Sequence, residues 1–154
     1  MRFTDALLDE LARELQAHLS EVEAEARRIL DDEGVNYTRS TRNGLYATAE
    51  ADRRSFVVEG EVGSRGAAAR WANDGRGPGK APPDAPIRAW LRDKRGVRPG
   101  RELDRAIRRL QAKIARRGTR GSRFLDRAFD GALPDLQPRL ARAADRALDG
   151  ASLL

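Results

Sequence analysis

Few side chains in this sequence can do chemistry, and their spacing limits what they could do. His18 is the one histidine, so no imidazole pair can hold a metal and a Ser-His-Asp relay would have no reserve. It falls between Leu15 and Val22, beside an apolar stripe, where a boundary or interface residue is expected. No cysteine is present, which excludes disulfides, thiolate nucleophiles and every cysteine-based metal site. Glu59 and Glu61 stand two apart in a segment of period two, so they share one strand face and could seat an acid/base pair. Such alternation is more often the wet side of a sheet.

The segment Asn73-Asp74-Gly75-Arg76-Gly77-Pro78-Gly79-Lys80-Ala81-Pro82-Pro83 invites a phosphate-binding reading. A P-loop requires Gly five residues before Gly79, where Asp74 stands, and Ser or Thr after Lys80, where Ala81 stands, so the motif fails. The stretch reads instead as an exposed loop, with Pro82 and Pro83 extended and able to reach a neighbouring subunit. Trp71 and Trp90 flank it as core or interface anchors, Trp90 the better suited to the core. No catalysis and no cofactor or metal are expected.

Charge is the stronger signal. Residues 1–34 hold four arginines against ten acids, whereas residues 86–123 hold fourteen bases against three acids. A basic ridge gathers phosphates by counterion release. Equally, the acidic segment of one subunit could face the basic segment of the next. At 100° per residue Arg101, Arg105, Arg108, Arg109 and Arg116 share one face of a helix over 99–117. No aromatics are interleaved there, so direct base readout is not expected.

The elements that must position these residues follow from periodicity. Leu7, Leu8, Leu11, Leu15, Leu19, Val22, Ala26 and Ile29 recur at three and four and predict one long helix from about Thr4 to Leu30. Asn43-Gly44 opens Leu45 to Ala51, and Asp52-Arg53-Arg54 leads into Ser55 to Val62, a β-hairpin. Val35 to Arg39 offers an edge strand, and Ala67 to Ala72 is ambiguous between helix and strand. Asp84 can cap a short helix that Gly96 ends. A third helix runs from about Pro99 to Arg117 with Leu103, Ala106, Ile107, Leu110 and Ile114 inward. Ser122 can cap a segment from Arg123 to Asp130, and a last helix follows from about Asp135.

The expected fold class is therefore α+β: a long N-terminal helix, a small antiparallel sheet, then three to four helices. The 154 residues suit one domain, divided as 1–34 (acidic helix), 35–66 (hairpin region), 73–86 (Gly/Pro loop) and 86–150 (helical, Arg-rich). With 5% aromatic residues the core is thin, and thin cores often lean on oligomeric partners. No stretch is apolar enough to span a membrane, and no secretory signal precedes the first helix, so Asn36-Tyr37-Thr38 is not expected to be glycosylated and a cytoplasmic origin is expected.

From Leu45 to Ala128 the order of features resembles the small tail-completion or head-to-tail joining proteins of long-tailed bacteriophages. Those proteins follow a long helix and a hairpin with an aromatic-Ala segment, an acidic residue and glycines, a Pro-rich loop and a helix containing Trp. Here these are Trp71-Ala72-Asn73-Asp74-Gly75-Arg76-Gly77-Pro78-Gly79, Pro82-Pro83, and Ile87 with Trp90. A later Gly and Phe-Leu-x-x-Ala segment correspond to Gly118 and Phe124-Leu125-Asp126-Arg127-Ala128. The family's Glu-x-Gly-Thr is replaced by Asp74-Gly75-Arg76-Gly77. The resemblance implies a homo-oligomeric ring, commonly a hexamer, in the neck of the virion, assembled in the host cytoplasm. It would join portal-side head-connector proteins to the tail tube or tail terminator and surround the genomic DNA. Trp71, Asp74, Arg76, Lys80, Pro82, Pro83 and the five helix arginines are the candidate interface residues.

Two other classes compete: a non-sequence-specific DNA-binding protein using helix 99–117, and, more weakly, a small hydrolase built on Glu59 and Glu61.

Overall fold

The computed structural model describes residues 3–33, 39–66 and 68–152. The fold is α+β, with a long N-terminal helix, a small antiparallel sheet and several further helices. In chain order these are α1 (Phe3–Glu33), α2 (Arg39–Asn43), β1 (Leu45–Asp52), β2 (Val57–Ser64), α3 (Ala69–Asp74) and β3 (Gly75–Arg76). They are followed by α4 (Asp84–Arg95), α5 (Arg101–Arg117), β4 (Thr119–Arg120) and α6 (Phe124–Ser152). The edge strand expected over Val35 to Arg39 and the tripeptide Asn36-Tyr37-Thr38 lie outside the described residues, apart from Arg39 and its neighbours in α2, which is helical.

Two compact units emerge. The first gathers Met1–Arg27, Leu45–Gly63 and Leu125–Leu154; the second gathers Arg28–Gly44 and Ser64–Phe124.

In the first unit the α1 stripe buries Leu8, Leu15, Leu19, Val22 and Ala26. His18 is also buried, at 3% exposure, rather than at the boundary expected of it, and its Nδ1 has no hydrogen-bond partner. The hairpin meets α1 closely at Gly60, where an added Cβ would lie 2.5 Å from Leu19 Cδ1 and 3.0 Å from Leu15 Cδ2. Gln16 registers strand β1 on the helix: its Nε2 donates to the Ala47 carbonyl at 3.0 Å and its Oε1 accepts from the Ala49 N–H at 2.8 Å.

Helix α6 corrects the expectation of two separate helices after Ser122. It runs unbroken through Pro134 and Pro138. An internal proline removes a backbone hydrogen bond and crowds the preceding turn. Both prolines are exposed, so water can reach the carbonyls they leave unpaired, while Ala128 and Ala143 stay buried. Arg139 contacts Glu21 and Arg146 contacts Glu10, so α6 runs antiparallel to α1.

The second unit is built on α4 and α5, whose Ile87, Leu91, Leu103 and Ile107 form one cluster, with Trp90, Val97, Leu110 and Ile114 against it. Ile107 is 1% exposed, and burying such a side chain contributes roughly 2 kcal/mol. Helix α4 starts at Asp84 itself, with Pro83 in the cap position and no side-chain cap bond, so Asp84 is not the cap expected. Its carboxylate instead accepts from Arg88, which also reaches Asp104 on α5 at 3.1 Å. Gly96 ends α4 in the left-handed conformation, φ 61°, that favours glycine.

The stretch 73–83 is not all loop. Asn73 and Asp74 finish α3, and Gly75 and Arg76 pair antiparallel with Arg120 and Thr119. Glycine permits this approach: a Cβ on Gly118, at φ 69°, would stand 2.0 Å from the Arg76 carbonyl oxygen.

Candidate functional site

The second unit carries a cavity of about 510 Å³, within the size range of small-molecule sites. Its walls come from four parts of the sequence: α3 with β3, the loop before α4, α4 itself, and the end of α5 with β4. Trp71, Pro82, Pro83, Ile87, Trp90 and Ile114 give it an apolar surface, and Arg76, Arg95, Lys113 and Arg120 place four cations around that surface. No carboxylate, histidine or cysteine lines it among the described residues.

The loop is held by specific bonds. The Gly79 N–H donates to the Ala115 carbonyl at 2.8 Å, Gln111 Nε2 donates to the Pro82 carbonyl at 2.9 Å, and Arg76 Nη2 donates to the Lys80 carbonyl at 2.5 Å. Pro82 is buried. The extended, outward-reaching connection expected here is therefore strapped along α5, because its backbone groups find partners on that helix. At the other end, the Ser122 N–H donates to the Ala72 carbonyl at 2.8 Å and the Arg123 N–H to the Asn73 carbonyl at 2.9 Å.

Both tryptophans stand beside guanidinium groups: Arg76 lies 5.5 Å from the Trp71 ring centre and Arg95 lies 5.7 Å from that of Trp90. Trp71 is 41% exposed, unusually open for so large an apolar group. Trp90 both packs on the α4–α5 cluster and lines the cavity, and its Nε1 is buried without an acceptor.

Of the residues expected to form an interface, Trp71, Arg76, Pro82 and Pro83 converge on this cavity. Asp74 and Lys80 do not line it: Asp74 accepts from Asn73 Nδ2 at 2.8 Å, and Lys80 contributes its carbonyl to Arg76. Arg95, Lys113, Leu110 and Arg120 line the cavity and were not among the expected site residues. For Leu110 and Lys113 the signal was position on α5: Leu110 belongs to the inward stripe and Lys113 lies at its edge, away from the arginine face.

Arg101, Arg105, Arg108, Arg109 and Arg116 are all exposed on α5, and none lines the cavity. They span about 22 Å of helix at 1.5 Å per residue. Among the described residues Arg101, Arg105, Arg108 and Arg109 have no ion-pair partner.

The acidic helix behaves differently. In the first unit Arg53 lies 2.5 Å from Asp9, Arg139 lies 2.8 Å from Glu21, and Arg146 lies 3.0 Å from Glu10 and 2.9 Å from Glu14. These hydrogen bonds, Glu10 before Glu14, raise the pKa of Arg146 above its ordinary value. In the second unit Arg42 pairs Asp31 at 2.6 Å and Arg28 pairs Asp32 at 3.0 Å. Much of the acidic charge of α1 is thus answered within the chain.

Glu59 and Glu61 are exposed on β2 and border a shallow depression with Thr48, Glu50 and Gly60. Among the described residues no group of three or more His, Cys, Asp or Glu side chains could hold a metal ion, and no helix is long and apolar enough to cross a membrane. No protein-family model, curated protein or solved structure matches the chain.

Proposed function

We propose that the protein is a structural virion component of a tailed phage, forming a ring in the neck that joins the head connector to the tail tube. One observation carries the reading. Several of the residues on which the phage resemblance rests, among them Trp71, Pro82, Pro83, Ile87, Trp90 and Gly118, come from separate stretches of sequence yet border a single cavity of apolar and cationic surface suited to contact with a partner. Its lining offers apolar surface and cations and, among the described residues, no carboxylate, imidazole or thiol. The α+β fold, with its long first helix and small sheet, accords with the same resemblance.

Imaging of the purified protein, alone and mixed with a tail-tube or connector protein, tests the proposal. Rings are the expected result. A persistent monomer in both samples would sink it.

A second reading, nonspecific DNA binding through α5, is favoured by the unpaired arginines of that helix. Tight duplex binding at physiological salt by the isolated protein, with a steep salt slope, would support it over a purely structural role.

A further inference from the structure

From the cavity of the second unit we infer that it receives an acidic peptide segment, one carrying a bulky apolar anchor flanked by Asp or Glu. The inference rests on the contact role proposed for the cavity but needs no ring, so the two can fail separately.

The occupant follows from complementarity. The floor presents Pro82, Pro83, Ile87 and Ile114, which suit an aliphatic or phenyl side chain, and Trp71 leaves 41% of its surface open beside them. Such apolar surface with aromatic anchors marks a protein contact. Around it the charge has a single sign. Arg95 and Lys113 have no ion-pair partner among the described residues, and no carboxylate is present to answer them. The surplus of eleven positive charges over residues 86–123 would draw an acidic segment toward the same unit. The carboxylates of α1 are largely engaged by the chain's own arginines, so the acidic segment belongs to a partner protein.

A single-stranded nucleic acid would also meet cations and aromatic rings. Here, however, each tryptophan already has a guanidinium near its ring, and the rest of the floor is aliphatic, so the open surface of Trp71 offers a place for one base and not for a run of them.

The chain's two tryptophans both line the cavity, so intrinsic fluorescence reads its occupancy directly. The probe is the blocked hexapeptide Asp-Glu-Phe-Leu-Asp-Glu, titrated into the full chain. It is compared with a version in which lysines replace the acids, one in which alanines replace Phe-Leu, and a ten-residue oligothymidylate. Saturable binding is expected for the acidic, apolar peptide, at least about tenfold tighter than for either altered peptide. Lys113→Glu and Arg95→Glu should each weaken it by about tenfold, the effect of one charged contact. Arg142→Glu, an equal charge change in the first unit, should leave it unaltered. Absence of saturable binding, equal affinity for the lysine version, or tighter binding of the oligothymidylate would overturn the inference. So would an equal effect of Arg142→Glu, which would show only bulk charge. Thermal melts confirm that each variant is folded.

Discussion

Nη2 of Arg139 lies 2.8 Å from Oε1 of Glu21, a contact between residues 118 positions apart. Glu21 is 61% exposed and Arg139 only 24%, so the pair is partly screened by water. Its hydrogen bond to Glu21 raises the arginine's pKa. An arginine is already fully protonated far above neutral pH, so this upward shift brings no pH dependence near neutrality. Salt is the useful variable. Arg139→Ala should lower stability by about 1 kcal/mol at low ionic strength. That corresponds to a fall of roughly 2–4 °C in Tm. The difference from wild type should shrink in 1 M NaCl, as thermal melts at both salt concentrations would show.

Asp52 governs the hairpin turn and does carry a pH signature. Its Oδ2 accepts from Ser55 Oγ at 2.7 Å and its Oδ1 from the Arg54 N–H at 2.9 Å. These bonds, that from Ser55 first, lower its pKa. A depressed carboxylate pKa contributes stability that is fully present above the unfolded value, about 3.9, and is lost as pH falls through the folded value. The stability gap between wild type and Asp52→Asn should therefore be constant at pH 5–7 and narrow below about pH 4. A gap that widened on acidification would contradict the assignment.

Backbone contact, not side-chain packing, joins β3 to β4. Gly118 sits at φ 69° and ψ −166°, a region open essentially to glycine alone, and a Cβ there would meet the Arg76 carbonyl oxygen at 2.0 Å. Gly118→Ala should cost about 2 kcal/mol or more. Gly131 provides the control, since a Cβ there meets nothing within 4 Å inside a continuous helix. Gly131→Ala should stabilise by up to about 1 kcal/mol. Denaturant unfolding of the two variants checks the opposite signs.

These positions show what was legible in the sequence. The α1 stripe, the hairpin and the α4 helix ended by Gly96 are local patterns, where periodicity and a turn residue decide the structure. The cavity depends on tertiary bonds that no local pattern records: Gln111 reaching Pro82 across 29 residues, and Gly79 pairing with Ala115. Hence Trp71 and Arg76 were recognisable as unusual residues, but their shared surface with Lys113 and Arg120 was not. The same holds for α6. Pro134, in the gap expected between two helices, is a strong local signal against a helix, and the exposed position that makes it tolerable is set by the fold. The charge split was visible too, but which half remained unpaired depended on Arg53, Arg139 and Arg146 lying beside α1.

That last point changes what the α5 arginines should do. Arg105 and Arg109 are exposed and lack ion-pair partners among the described residues, so Arg105→Glu with Arg109→Glu should leave the fold intact, with Tm altered by no more than about 2 °C. An acidic α1 from a neighbouring copy would be the natural partner for this ridge if its carboxylates were free, but Asp9, Glu10, Glu14 and Glu21 are engaged by arginines of their own chain. Under the second reading of function, we propose phosphate as the ligand of this ridge. Each phosphate-contacting cation removed should reduce the slope of log affinity against log salt by about one, so the double variant should lose about two of that slope and most of its duplex affinity. Ring formation should survive. Fluorescence anisotropy with a random 20-base-pair duplex at several salt concentrations, beside imaging of the same variant, separates the outcomes. Lost rings with a folded monomer would instead make the ridge a subunit contact, and unaltered duplex binding would exclude the ridge as the DNA surface.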